Sequence, residues 1–165
     1  MMEGGDWKSS FQAGLQCIDE KRWSNAAAHL RRANDLKPDD TEIMLRLAFV
    51  LRQTREFAEA LDLYRRLGNK LRQNAGLHYA WGMTLSDLSQ YEGAIYMFEK
   101  ALGLGFSDTF RCYRMLGRMN AAIGNDREAL KHLEKYVASG KDAEYGDLAQ
   151  ITGQLELIRK KLSAK

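Results

Sequence analysis

A period of 34 residues constrains this chain more than any other feature. The alanines Ala26, Ala60, Ala94 and Ala129 are spaced 34, 34 and 35 residues apart. Gly14, Ala48, Gly82 and Gly117 keep the same spacing, and so do Leu30, Tyr64, Phe98 and Leu133. The aromatics Trp23, Phe57 and Tyr91 follow it too, until Asp126 breaks the series. Self-similarity at this period implies supersecondary units that cannot bury an apolar face alone and must stack on their neighbours.

Each period holds two helical patterns. Met44, Leu47, Ala48 and Leu51 recur at i, i+3, i+4 and i+7, the stripe of one buried helical face. After a polar break over residues 52–56, Phe57, Ala60, Leu61 and Tyr64 form a second stripe. The small residue in each first helix lets its partner approach closely. Pro38 is the single proline of 165 residues, as expected for helices joined by tight turns. Asp39, Asp40 and Thr41 punctuate the end of the first period. Ser89 with Glu92, and Asn125 with Glu128, have the spacing of capping boxes. The extra residue of the fourth period is expected in the loop Gly103-Leu104-Gly105-Phe106, where it costs little.

This pattern resembles the tetratricopeptide repeat (TPR), with small residues in both helices, an aromatic opening the second and a proline closing the unit. The resemblance implies an all-α, TPR-like α-solenoid of four helix-turn-helix repeats plus a C-terminal capping helix. The expected repeats are 7–40, 41–74, 75–108 and 110–143, with the cap at 144–165. The second and third repeats carry Arg72 and Phe106 where the closing proline is usual, and the fourth has the large Tyr136 at a small position. Tyr145, Leu148, Ile151, Leu155, Ile158 and Leu162 step by three and four, giving the cap one apolar face. Tyr136 is expected to pack on that face.

Chemistry of its own is not legible. Gly103-Leu104-Gly105 lacks the third glycine of a dinucleotide loop, and Gly140-Lys141 lacks both the earlier glycine and the hydroxyl of a phosphate loop. His29, His78 and His132 have no ligand partner at helical spacing, so no metal is expected. His29 and His132 share one repeat position, read as solvated. Cys17 falls in a core stripe, and two distant cysteines make no disulfide framework. The net charge of +3 is too small for a nucleic-acid protein resting on a basic field. The longest apolar run is only Leu47–Leu51, so no membrane insertion is expected. Residues 1–6 show no leader pattern. The expectations are no enzyme activity, no cofactor and a cytoplasmic setting.

In such repeat arrays the first helices line a concave groove, and the resemblance implies that it binds another protein, as a peptide or a helical segment. The apolar candidates are Phe11, Leu15, Leu45, Phe49, Tyr79, Met83 and Met115, and a basic margin comprises Arg46, Arg52, Arg111, Arg114 and Arg118. Large apolar groups beyond the needs of a core point to a ligand. The implied ligand is apolar with acidic flanks. The clamp that family members use for chaperone-tail carboxylates is missing, because Phe11, Leu15 and Arg46 stand at its positions. Two alternatives are a small dedicated chaperone similar to the type III secretion repeat chaperones, and a structural subunit that forms homo-oligomers.

Overall fold

A computed structural model of the chain describes residues 6–140 and 146–164. Among these residues there are nine α-helices and no strand. They are α1 (Asp6–Asp19), α2 (Trp23–Leu36), α3 (Thr41–Gln53), α4 (Phe57–Lys70), α5 (Ala75–Asp87), α6 (Tyr91–Gly103), α7 (Thr109–Ala122), α8 (Asp126–Ala138) and α9 (Leu148–Ser163). The chain divides into two compact units, residues 1–73 with α1–α4 and residues 74–165 with α5–α9. In the first, α1 packs on α2, α2 on α3 and α3 on α4, and α1 also touches α3. In the second, successive helices from α5 to α9 pack on one another.

Two of the periodic series turn out to be partners. A Cβ added to Gly14 would lie 2.8 Å from Leu30, one at Gly82 2.9 Å from Phe98, and one at Gly117 2.4 Å from Leu133. At each of these points an added Cβ would force the facing side chain or its helix to shift. Leu30, Phe98 and Leu133 fill the contact with no solvent exposure. Where Ala48 replaces glycine, Ala48 and Tyr64 are buried as well. Close packing of this kind makes each period rigid.

The turn inside each pair repeats too. The turns 20–22, 54–56, 88–90 and 123–125 each hold a central residue at positive φ: Lys21 (55°), Arg55 (65°), Ser89 (57°) and Gly124 (80°). The next amide reaches back to the helix, from Arg22 to Cys17, Glu56 to Leu51, Gln90 to Leu85 and Asn125 to Asn120, at 2.8–2.9 Å. This is the left-handed Schellman ending, which satisfies carbonyls that a helix end leaves open. Only Gly124 takes the left-handed conformation without steric cost. The loop 104–108 is one residue longer than 37–40 or 71–74, α6 is one shorter than α4 and α7 one longer than α5. The extra residue of the fourth period therefore lies between Phe98 and Gly117, a span that includes the expected loop.

The two capping boxes do not form. Gln90, not Ser89, precedes α6, and neither Gln90 nor Asn125 accepts a cap hydrogen bond in its side chain. Ser89 is consumed as the left-handed turn residue. Leaving such a turn, Gln90 and Asn125 have ψ of 69° and 64°, away from the extended backbone typical of an N-cap. Side-chain caps form where the backbone is extended. Asp40 accepts from the Glu42 and Ile43 amides at 3.0 and 3.2 Å, and Asn74 from the Leu77 amide at 2.9 Å.

At the C-terminal end α9 packs on α8. Ile151, Leu155 and Ile158 join Ala129, Leu133 and Tyr136 in one buried cluster. Tyr136 is fully buried there, and its hydroxyl donates to Asp147 at 2.9 Å. Its size at a normally small position is therefore explained by α9, as the sequence implied. The first residue of the expected stripe, Tyr145, lies outside the described residues.

Candidate protein-binding clefts

In the first unit the faces of α1 and α3 are only partly open. Trp7, Lys8, Phe11, Gln12, Lys37, Asp40, Glu42 and Ile43 line a cleft of about 320 Å³. Its floor is closed, since Phe11 is buried, and the Lys37 ammonium lies 3.9 Å from the centroid of the Trp7 ring. Lys37 also pairs with Asp40 at 2.7 Å. That bond, with help from the Ile43 and Glu42 amides and against the penalty of burial, holds the Asp40 carboxyl below the usual carboxylate range. Beyond the cleft, Leu15, Leu45 and Arg52 are half-buried and Arg46 is exposed. Phe49 stands out, 40% exposed, with its ring edge-on to Trp23 at 5.9 Å.

In the second unit α5 and α7 enclose a cleft of about 270 Å³, lined by Tyr79, Met83, Arg111, Arg114 and Met115. All five are among the residues singled out from the sequence. Tyr79 is fixed by stacking on Phe106, with centroids 4.5 Å apart, and by tilting onto Phe98 at 5.6 Å. Met83 is half-buried and Met115 buried, so the walls are thioether and ring with guanidinium at the rim. The only acidic residue of α5 is Asp87, and α7 carries three arginines and no acid. Arg111 and Arg118 are exposed, and Arg111 has Asp108 at 3.6 Å.

Arg114 differs from its neighbours. Its Nε donates to Asp147 Oδ2 at 2.5 Å, with both side chains mostly buried. Asp147 also accepts from Tyr136, so it links α7 and α8 to the start of α9. Burial alone would raise the Asp147 carboxyl, but the bonds from Arg114 and Tyr136 and the Arg114 charge hold it below its ordinary value. Sequence reasoning missed Asp147. The available signal, an acid just ahead of an apolar stripe, suggests a helix cap rather than an ion pair.

The remaining reactive groups are inert by placement. Cys17 and Cys112 are both buried and unpaired. Burial, with Asp108 nearby, pushes the Cys112 thiol up to about 12, far from a reactive thiolate. His132 corrects the solvated reading: it is buried, stacked on Tyr113 at 6.1 Å between centroids, while its repeat mate His29 is exposed. Tyr113 covers His132, whereas the small Ser10 stands at the matching place of α1 beside His29. Burial lowers the His132 pKa, with Glu128 opposing. Among the described residues no cluster of His, Cys, Asp and Glu could hold a metal ion, and no helix is long and apolar enough to cross a membrane.

Comparison with known proteins agrees with the helical-repeat fold. Two family models, each described as a tetratricopeptide repeat, match residues 18–80 and 79–144. Human and mouse proteins named cell division cycle protein 16 homolog are 32% identical over 132 residues, 75% of this chain. The chain spans 20% of the length of those relatives. Among solved structures, MamA residues 41 to the end from Desulfovibrio magneticus RS-1 superposes with a TM-score of 0.77 at 20% identity. That match covers 84% of this chain and 77% of the other. PilF from Pseudomonas aeruginosa gives a TM-score of 0.73 at 19% identity, covering 96% and 70%. At these identities the structural matches speak for the fold alone.

Proposed function

The chain belongs to the tetratricopeptide repeat family, and on that premise we propose that it is an adaptor binding another protein through its first helices. The partner segment is apolar with acidic flanks; α1 and α3 in the first unit, and separately α5 and α7 in the second, offer faces for such a segment. The single observation that carries this reading is the α5–α7 cleft. It combines a fixed aromatic ring and two thioethers with arginines, on helices whose only acid is Asp87. Apolar walls bury an anchor side chain, and the cations attract the charges beside it. The residues assigned to the binding faces are Phe11, Leu15, Leu45, Arg46, Phe49 and Arg52 in the first unit. In the second they are Tyr79, Met83, Arg111, Arg114, Met115 and Arg118.

The experiment is affinity capture from the source organism with wild type and Met83→Ala in parallel, followed by binding measurements on the purified partner. A partner retained by wild type and lost by the variant supports the reading. A partner retained equally by both sends the interaction elsewhere. Self-association through the same faces is tested by solution mass: a concentration-dependent dimer abolished by Phe49→Ala makes a second copy the ligand.

A further inference from the structure

One of the residues lining the α5–α7 cleft is already bound by an acidic group of this chain. Arg114 lines the cleft, and its Nε is held by Asp147 at 2.5 Å. Asp147 directly precedes α9, a position where an aspartate ordinarily accepts amides of its own helix. Here its side chain accepts none from the first turn of α9. The carboxylate is spent instead on Arg114 from α7 and Tyr136 from α8. Thus one guanidinium serves both the cleft and the attachment of the last helix.

We infer that Asp147 is a resident competitor for Arg114, so that an acidic segment entering the cleft displaces it and loosens the start of α9. The inference rests on reading the α5–α7 cleft as a binding site. Its logic is charge counting: paired with Asp147, Arg114 offers an incoming carboxylate almost no net attraction. A second carboxylate beside the first meets like-charge repulsion in a mostly buried place. Asp147 takes the Nε edge of the guanidinium, and an acid approaching that edge must displace it. Arg118, exposed one turn further along α7, supplies the initial attraction. Because coupling between two sites is reciprocal, whatever weakens the hold of Asp147 strengthens the acidic ligand, and the ligand weakens α9.

The probe is a synthetic twelve-residue peptide with a central Phe-Leu pair and two glutamates on each side, compared with its glutamine counterpart. Binding is followed by NMR on the full chain, as wild type and Asp147→Asn, which removes the charge and keeps the shape. The acidic peptide should bind Asp147→Asn several-fold tighter than wild type, and the glutamine peptide should bind both equally. The second readout needs no variant. The Ile151 amide, which donates to the Asp147 carbonyl at 2.9 Å, should exchange faster with solvent when wild type is saturated with acidic peptide. Equal or weaker binding to Asp147→Asn, or slower Ile151 exchange in the complex, overturns competition and makes Asp147 a support for Arg114 instead. If neither peptide perturbs α5 or α7 in either protein, the cleft is no binding site, and the reading beneath the inference fails first.

Discussion

The two units place the same helical pairs to different use. In the first, α1 and α3 carry three acids, Asp6, Asp19 and Glu42, against three bases, Lys8, Arg46 and Arg52. Their cleft has a buried floor and a lysine resting on Trp7. In the second, α5 and α7 set three arginines against Asp87, and a ninth helix covers the far side of α8. The difference teaches that the close-packing positions repeat while the charges on the first-helix faces do not. The close glycine contacts Gly14–Leu30, Gly82–Phe98 and Gly117–Leu133 recur in both units, while the first-helix faces vary freely.

The largest test of that comparison is the extra helix. Ending the chain after Gly140 exposes the cluster that Ile151, Leu155 and Ile158 bury. Burial of each is worth roughly 1.5–3 kcal/mol before the entropy of ordering the helix. Thermal unfolding should fall by 10 °C or more, or the protein should aggregate, with lost hydrogen-exchange protection concentrated in α7 and α8. Equal stability would strip α9 of its capping role.

A smaller effect is expected at the close contacts. Gly117→Ala puts a Cβ 2.4 Å from Leu133 and 3.2 Å from its backbone nitrogen, where relief needs helix movement. It should destabilise by about 1–3 kcal/mol in denaturant unfolding, after any gain in helix propensity. For Gly14→Ala in the first unit the three nearest atoms all belong to the side chains of Leu30 and His29, and the change should cost less. A reversed order would mean that the closeness of a pair does not set its rigidity.

Much of this architecture was legible because period and packing are the same fact: a glycine or alanine every 34 or 35 residues answers a bulky residue sixteen further on. The cap was legible through the stripe Leu148, Ile151, Leu155, Ile158 and Leu162, and the size of Tyr136 fitted it. The turns were not. Lys21, Arg55 and Ser89 hold left-handed conformations that residue type argues against, and the same turns cancel the capping boxes at Ser89 and Asn125. Of the groove positions that the family resemblance implied, Tyr79, Met83, Arg111, Arg114 and Met115 share a cleft. Spacing could not show that Phe11 lies buried, or that Arg114 is taken by Asp147, because both depend on contacts distant in sequence.

The turns supply the next prediction. Replacing Lys21, Arg55 or Ser89 by glycine relieves a left-handed residue and should stabilise by up to about 1 kcal/mol each, while Gly124→Ala should cost a similar amount. Matched Tm shifts across the two units would mark the turn as shared scaffold. The smallest effect concerns pH and only the second unit. The His132 pKa is lowered in the fold, so the unfolded chain binds the proton more readily. The stability contribution is complete above the unfolded value near 6.5 and declines as pH falls below it. His132→Phe should flatten stability between neutral pH and pH 5, and an unchanged profile would remove His132 as its source.

The most direct measurement follows the purified partner onto wild type, Phe49→Ala, Met83→Ala and Arg118→Glu at two salt concentrations. The account predicts that each apolar truncation costs about 1 kcal/mol or more, roughly fivefold in affinity, mostly as faster dissociation with little salt dependence. Arg118→Glu should slow association, and its effect should shrink in high salt as screening shortens below about 8 Å. Affinity and rates unchanged in all three variants would contradict the account and move recognition off the first helices.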